Sequence, residues 1–442
     1  MLTSAQLHLQ AVQIADSRGR PTVRVTATAG GHVGVGDVPA GASKGEDEAR
    51  TVPIGQALAH VQEVLLPLLR QAQTPLGDVE GIAALDRAMV AQAGDNFAAL
   101  GANATLPTSR ALWQLGAKIQ GVPLHAFLAQ SKLAPKAPGG APVYFYMNIF
   151  NGGLHALKTQ DHEVLGRDRI AIQEIMVVPV GATSYAKALA MGDAIDGALK
   201  KILLQTYGAQ AVSRADEAGF SVKGLGDDAR AIGHVVEAIE GAGMRPGVDV
   251  KLALDVAASS FFDRAHKTYA FGGGAKSSAD MVAWHTALVQ KYPNLLLSIE
   301  DGLDENDWAG WRAHSEAMAA HGVLTIGDDL FVTQLPRLRR GIGEKSAHAV
   351  LIKVNQNGTV TTTLDVIGEA HAAGMRCVVS HRSGETLDDS IADLAVAIGA
   401  LGLKAGDPQP PADFPDEAVW VRRRKYLRMV QIEAATDPAR GA

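Results

Sequence analysis

Residues 349–353 read Ala349-Val350-Leu351-Ile352-Lys353, four apolar residues that end abruptly on a lysine. A short apolar run bounded by polar residues is the mark of a buried strand. The pattern repeats in both directions. Downstream, Cys377-Val378-Val379-Ser380 ends at His381 and Gly402-Leu403 ends at Lys404. Upstream, Val323-Leu324-Thr325-Ile326-Gly327 ends at Asp328, Leu295-Leu296-Leu297-Ser298-Ile299 at Glu300, and Lys251-Leu252-Ala253-Leu254 at Asp255. Amphipathic segments 361–373 and 387–400 fall between these runs; Gly374 stops the first, and Gly399 and Gly402 punctuate the end of the second. The last four run ends lie 25, 28 and 23 positions apart (328 to 353, 353 to 381, 381 to 404), room each time for one strand and one helix. Repeated βα units predict a parallel sheet with all strand C-termini on one rim. An open doubly wound sheet gathers its ligands at one switch point. Chemistry drawn from many successive strand ends predicts a closed α/β barrel of about eight strands.

The N-terminal third has a different texture. Residues 8–50 alternate in short extended runs such as Thr22-Val23-Arg24-Val25-Thr26 and predict antiparallel β structure. Residues 54–130 carry helical spacing, as in Ala57-Leu58-Val61-Leu65-Leu66. The Pro- and Gly-rich stretch 131–142 is the best linker, so the expected division is an α+β domain over 1–135 and a barrel domain over 143–442.

Bulk properties narrow the function. The 442 residues are 47% hydrophobic and 20% charged, with a net charge of −6, which speaks for a globular protein and against a nucleic-acid binder. The single cysteine, Cys377, excludes an intrachain disulfide and a Cys-based zinc cage, and its apolar neighbours predict a buried thiol. No signal peptide or membrane span is evident, so a cytoplasmic location with no membrane partner is expected. The basic cluster Arg422-Arg423-Arg424-Lys425 is expected to form a solvated face or a subunit contact.

Asp255, Glu300 and Asp328 would converge on the barrel rim. Three neighbouring carboxylates repel unless a cation neutralises them, and oxygen ligands without Cys or His favour a hard ion such as Mg²⁺. The alternative is that each acid caps the helix that follows. Lys353 and Lys404 face the same cavity. Cationic neighbours disfavour an ammonium, which would suit one lysine to general-base work, while the other stays protonated against a substrate carboxylate. His381-Arg382-Ser383-Gly384 supplies an imidazole, a guanidinium fork, a hydroxyl and flexible backbone, a set suited to phosphate.

With these residues in view the chain resembles the enolase family. Ser380-His381-Arg382-Ser383-Gly384-Glu385-Thr386 is similar to its signature, and Leu351-Ile352-Lys353-Val354-Asn355-Gln356 to another of its blocks. Ser17-Arg18-Gly19, Gly41-Ala42-Ser43, Asn151-Gly152-Gly153, Ala253 to Ser259, Ser298-Ile299-Glu300-Asp301 and Gly327-Asp328-Asp329-Leu330 follow in family order across residues 10–405. The resemblance implies a small α+β domain on an eight-stranded barrel, acting on a small phospho-carboxylate, 2-phosphoglycerate in glycolysis. It implies two Mg²⁺ ions, the first on Asp255, Glu300 and Asp328 and the second reached by Ser43 on a mobile loop. Lys353 would take the C2 proton, and the cations would stabilise the enediolate. Glu217, helped by Glu174, would protonate the departing hydroxyl. Lys404 would hold the carboxylate, Arg382 and Ser383 the phosphate, and His155 and His381 would line the closed site. The family's dimers or octamers make a homo-oligomer the expectation.

Departures gather around the substrate-facing segments. Lys44 follows the mobile serine, as a solvated loop lysine or a contact to an extra acidic group. Ala215 and Ala218 replace glycines that flank the Asp216-Glu217 pair. An insertion spans roughly 158–167, Gly302 replaces a proline, Ala405 replaces a threonine, and 408–415 is Pro-rich. These changes leave room for a paralogue acting on a related phospho- or phosphono-carboxylate in secondary metabolism. A catalytically silent binding protein would have had no reason to keep Lys353, Glu217 and the three acids.

Overall fold

The computed structural model describes residues 2–41, 47–137, 142–156, 168–407 and 416–436; Ser43, Lys44, the 158–167 insertion and the 408–415 run lie outside them. Eight strands close into a barrel. In ring order they are Tyr144–Asn151, Glu174–Val178, Lys251–Asp255, Leu296–Glu300, Leu324–Gly327, Ala349–Ile352, Arg376–Ser380 and Gly402–Lys404. The last closes on the first in parallel register, with Gly402 opposite Tyr144 and Lys404 opposite Tyr146. Short strands Val212–Arg214 and Phe220–Val222 extend the sheet outside the ring. The expected barrel with a smaller α+β N-terminal domain is present.

The expectation of a wholly parallel sheet is corrected at one strand. Glu174–Val178 runs antiparallel to both Tyr144–Asn151 and Lys251–Asp255. A parallel neighbour needs a long crossover, usually a helix. The described part of the connection from 152 to 173 holds only a 3₁₀ turn, Gly153–His155. The reversal brings the first residue of this strand to the rim, with Glu174 opposite Asp255.

The chain packs as two compact units. One comprises Met1–Val143, Val332–Leu338 and Leu351–Leu401, the other Tyr144–Phe331, Arg339–Val350 and Gly402–Ala442. In the first, His8–Ala15, Pro21–Ala29 and His32–Asp37 form the expected antiparallel sheet. The helices expected over 54–130 begin at Ile54 and end at Leu128. Helix Ala102–Gln120 lies directly on the sheet, and the contact dictates two glycines: a Cβ on Gly34 would stand 2.1 Å from Ala111 O, and one on Gly36 2.2 Å from Pro107 O. Helices Val360–Ala372 and Ser390–Ile398 realise the two amphipathic segments, and Cys377 is buried as expected, its thiol pKa pushed up by burial.

In the second unit, helix Asp416–Thr436 packs on helix Tyr185–Tyr207. That docking corrects the reading of the basic cluster as a solvated face at two of its four positions, while Arg424 is exposed as expected. Arg422 and Lys425 are buried, and Arg423 donates to Asp193 at 2.9 Å. Tyr426 on this helix accepts from Ala405 N–H at 3.1 Å and donates to Gly406 O at 2.8 Å, pinning the chain just beyond Lys404. Among the described residues no helix is long and apolar enough to cross a membrane.

Candidate active site

Lys404 ends its strand fully inside the second unit, and its ammonium is shared among acids. Nζ donates to Asp255 Oδ2 at 2.8 Å and to Glu300 Oε1 and Oε2 at 2.8 and 2.9 Å, with Glu174 Oε2 at 3.4 Å. Burial works against the ammonium, but Asp255, Glu174, Glu300 and Glu217 outweigh it and hold the Lys404 pKa well above its ordinary value. Glu174 moves the other way from a simple ion-paired carboxylate. Burial raises its pKa well above the usual range, Lys404 opposes this, and Glu217, Asp255 and Glu300 push it further up. These causes together favour the protonated form of Glu174. Neither Asp255 nor Glu300 caps the helix that follows; Ser277 and Asp307 do that.

Glu217 sits in the turn Asp216–Ala218, where Glu217 (φ 58°) and Ala218 (φ 70°) are both left-handed. His155 lies between two acids, with Nδ1 3.5 Å from Glu174 Oε1 and Nε2 4.0 Å from Glu217 Oε1. Ligand atoms of His155, Glu174 and Glu217 all lie within 4.8 Å of one another, and so do those of Asp301, Asp328 and Asp329. Asp301 organises the second group. Its Oδ1 accepts the Asp328 N–H at 2.9 Å and its Oδ2 the Asp329 N–H at 2.8 Å. Burial raises the Asp301 pKa well above normal, and Asp329, Asp328, Asp255 and Glu300 add to it, so this second group lies in the field of the acids that hold Lys404.

The remaining candidates belong to the first unit. Lys353 directly follows its strand, and its N–H donates to Thr333 Oγ1 at 3.0 Å. Thr333 and Val332 are both left-handed (φ 52° and 42°), a strained pair for β-branched residues that buried bonds from Thr333 to Gln356 and Leu351 stabilise. His381, Arg382 and Ser383 are buried. The Glu385 carboxylate secures their loop by accepting the N–H groups of Arg382 and Thr386, and Ser17 N–H donates to Glu385 O. Gly384 is required here, because a Cβ would fall 2.3 Å from Asp16 Oδ2. Arg382 donates through both terminal nitrogens to Glu48, at 3.0 and 3.1 Å, and to Asn355 Oδ1 at 3.1 Å.

The structure thus joins Asp255, Glu300, Glu174 and Lys404 in one cluster, sets His155 and Glu217 beside Glu174, and places Asp328 with Asp301 and Asp329. Sequence reasoning had left Asp301 and Asp329 out of the metal set, although each directly follows a named acid, and it had missed Glu48 altogether. The donors suit a hard divalent cation. They are carboxylate oxygens without a thiolate, and the buried Asp255, Glu300 and Glu174 gather around one buried ammonium.

A closed barrel whose rim gathers acids around a buried ammonium is suited to managing developing negative charge. Family models match nearly the whole chain: the enolase N-terminal domain over residues 7–128 and the enolase C-terminal TIM barrel domain over residues 141–414. The chain belongs to the enolase family, and its activity class is that of a lyase of the enolase superfamily.

Proposed function

We propose that the protein removes water from 2-phosphoglycerate to give phosphoenolpyruvate, with Mg²⁺ as its cation. The observation that carries this reading is the buried cluster in which Lys404 lies 2.8 Å from both Asp255 and Glu300, with Glu174 beside it at 3.4 Å. Lys353 takes the C2 proton. Glu217, assisted by Glu174, gives a proton to the C3 hydroxyl, which leaves as water as the C2–C3 double bond forms. The Lys404 ammonium balances charge on the substrate carboxylate, and Arg382 and Ser383 bind the phosphate. His155 orients the two acids it touches, and His381 lines the site. Bound on Asp255, Glu300 and Asp328, Mg²⁺ would stabilise the charge that proton removal concentrates on the carboxylate oxygens.

Purified protein with Mg²⁺ and 2-phosphoglycerate should show the ultraviolet absorbance rise of phosphoenolpyruvate, and Lys353→Ala should abolish it. An inert wild-type protein overturns the assignment. A second reading, turnover of a related phospho- or phosphono-carboxylate, draws on Ala215 and Ala218 at glycine positions beside Glu217. Faster turnover of a phosphono analogue in a substrate panel would favour it.

A further inference from the structure

Two left-handed non-glycine residues in succession, Glu217 and Ala218, persist only where the surroundings over-determine them. An alanine at φ 70° has no glycine-like freedom, so something must hold this turn. Its carbonyls show what does. Arg214 Nη1 donates to Ala218 O at 2.8 Å, Asp407 N–H donates to Glu217 O at 3.0 Å, and Ala215 N–H and Asn151 Nδ2 donate to Gly219 O at 2.9 and 3.2 Å.

Arg214 is the hub. Its guanidinium makes a bidentate pair with Asp196, at 2.7 and 2.6 Å, and Nη1 also donates to Asp407 Oδ2 at 2.5 Å. Its plane lies over the Phe220 ring at 3.6 Å, which fixes the fork in orientation. Asp196 and Asp407 are both buried. Asp407 follows Lys404 by three residues, so Arg214 and Asp407 tie the chain beyond the buried amine to the turn that presents the acid.

We propose that Arg214, anchored by Asp196 and Asp407, is a positioning residue that holds the left-handed turn presenting Glu217 and thereby sets the C–O cleavage half of the reaction. The proposal rests on the reading of Glu217 as the group that protonates the leaving hydroxyl. Proton removal at C2 is assigned to Lys353, so a displaced Glu217 should slow elimination and leave C2 exchange largely intact.

The test compares Arg214→Met, Arg214→Lys and Asp407→Asn with wild type, each checked for an unchanged far-ultraviolet circular dichroism spectrum. In Arg214→Met, kcat on 2-phosphoglycerate should fall by about 30-fold or more, the scale of an ångström-level misplacement, while KM moves by less than about threefold. Exchange of the C2 proton in D₂O, followed by NMR, should stay within about threefold of wild type. Arg214→Lys, which keeps the charge but not the fork, should recover only part of kcat. Hydrogen exchange of the peptide covering 215–219, read by mass spectrometry without substrate, should rise in Arg214→Met and Asp407→Asn. Unchanged kcat, a parallel fall of kcat and C2 exchange, or unchanged hydrogen exchange would each overturn the proposal. Wild-type protein inert on 2-phosphoglycerate would sink the functional reading alone, and the hydrogen-exchange comparison would still decide the role of Arg214.

Discussion

Lys404 holds Glu300 by both carboxylate oxygens, at 2.8 and 2.9 Å, and so places a positive charge among the acids expected to receive a divalent cation. Ammonium and metal ion then compete for the same oxygens, and their charges repel. Lys404→Met should therefore tighten Mg²⁺ binding, by about tenfold, while lowering kcat by at least about 100-fold through loss of the substrate's carboxylate partner. Isothermal titration with Mg²⁺ reads the first effect. Weaker binding in the variant would show that the ammonium orders these acids and does not compete for them.

Arg382 carries its own carboxylate partner in Glu48, in a part-buried two-pronged pair. A phosphate group arriving at Arg382 meets that carboxylate as a like charge. Glu48→Gln keeps the shape and removes the repulsion, so inorganic phosphate should inhibit the variant more strongly, with an inhibition constant lower by about five- to tenfold. Unchanged or weaker inhibition would mean that Glu48 chiefly steers the guanidinium.

The strand ends were legible because each is local: a few apolar residues, then one polar residue at the rim. Asp255, Glu300, Asp328, Lys353 and Lys404 all emerged that way. Glu174 was reachable only through family resemblance, because it begins an antiparallel strand and no apolar run leads into it. Strand direction has no signature in a period of two. The buried Arg422 and Lys425 were misread because charge predicts exposure until a docking surface is known. Arg214 and Asp407 lie 193 residues apart, and no spacing rule connects them.

Asp228 links pH to stability. Its Oδ1 accepts the Ile172 N–H at 2.9 Å, and burial lifts its pKa from 3.8 to about 7 despite that bond and one from Ala171. A carboxyl whose pKa is higher folded than unfolded binds more protons in the native state between the two values. Stability therefore falls as pH rises from about 4 to 7, with a ceiling of about 4 kcal/mol for a shift of this size. Asp228→Asn keeps an acceptor for Ile172 without the ionisation. It should melt higher than wild type at pH 8 and approach it at pH 5. A constant difference between the two pH values would remove the linkage.

His285 and His314 impose the opposite slope. Both are wholly buried with ring centroids 4.7 Å apart, and none of their four ring nitrogens has a hydrogen-bond partner. Gly302 makes room for them, since a Cβ there would stand 2.6 Å from His314 Cε1. Burial, reinforced by His348, lowers the His314 pKa to about 3; burial and His314 together take His285 well below its ordinary value. The unfolded chain protonates these imidazoles near pH 6.5 and the folded chain does not. Their contribution is complete above about pH 6.5 and is lost as pH falls toward 3, by up to about 1.4 kcal/mol per pH unit for each ring. Acid should thus unfold the protein earlier than its carboxylates alone would require. His314→Gln removes one titrating ring, so the thermal midpoint should fall less between pH 7 and pH 4.5 than in wild type, even though lost packing lowers it at both. The comparison is one of slopes, which a simple packing defect does not change. Parallel slopes would show that the pair stays neutral for reasons unconnected with folding.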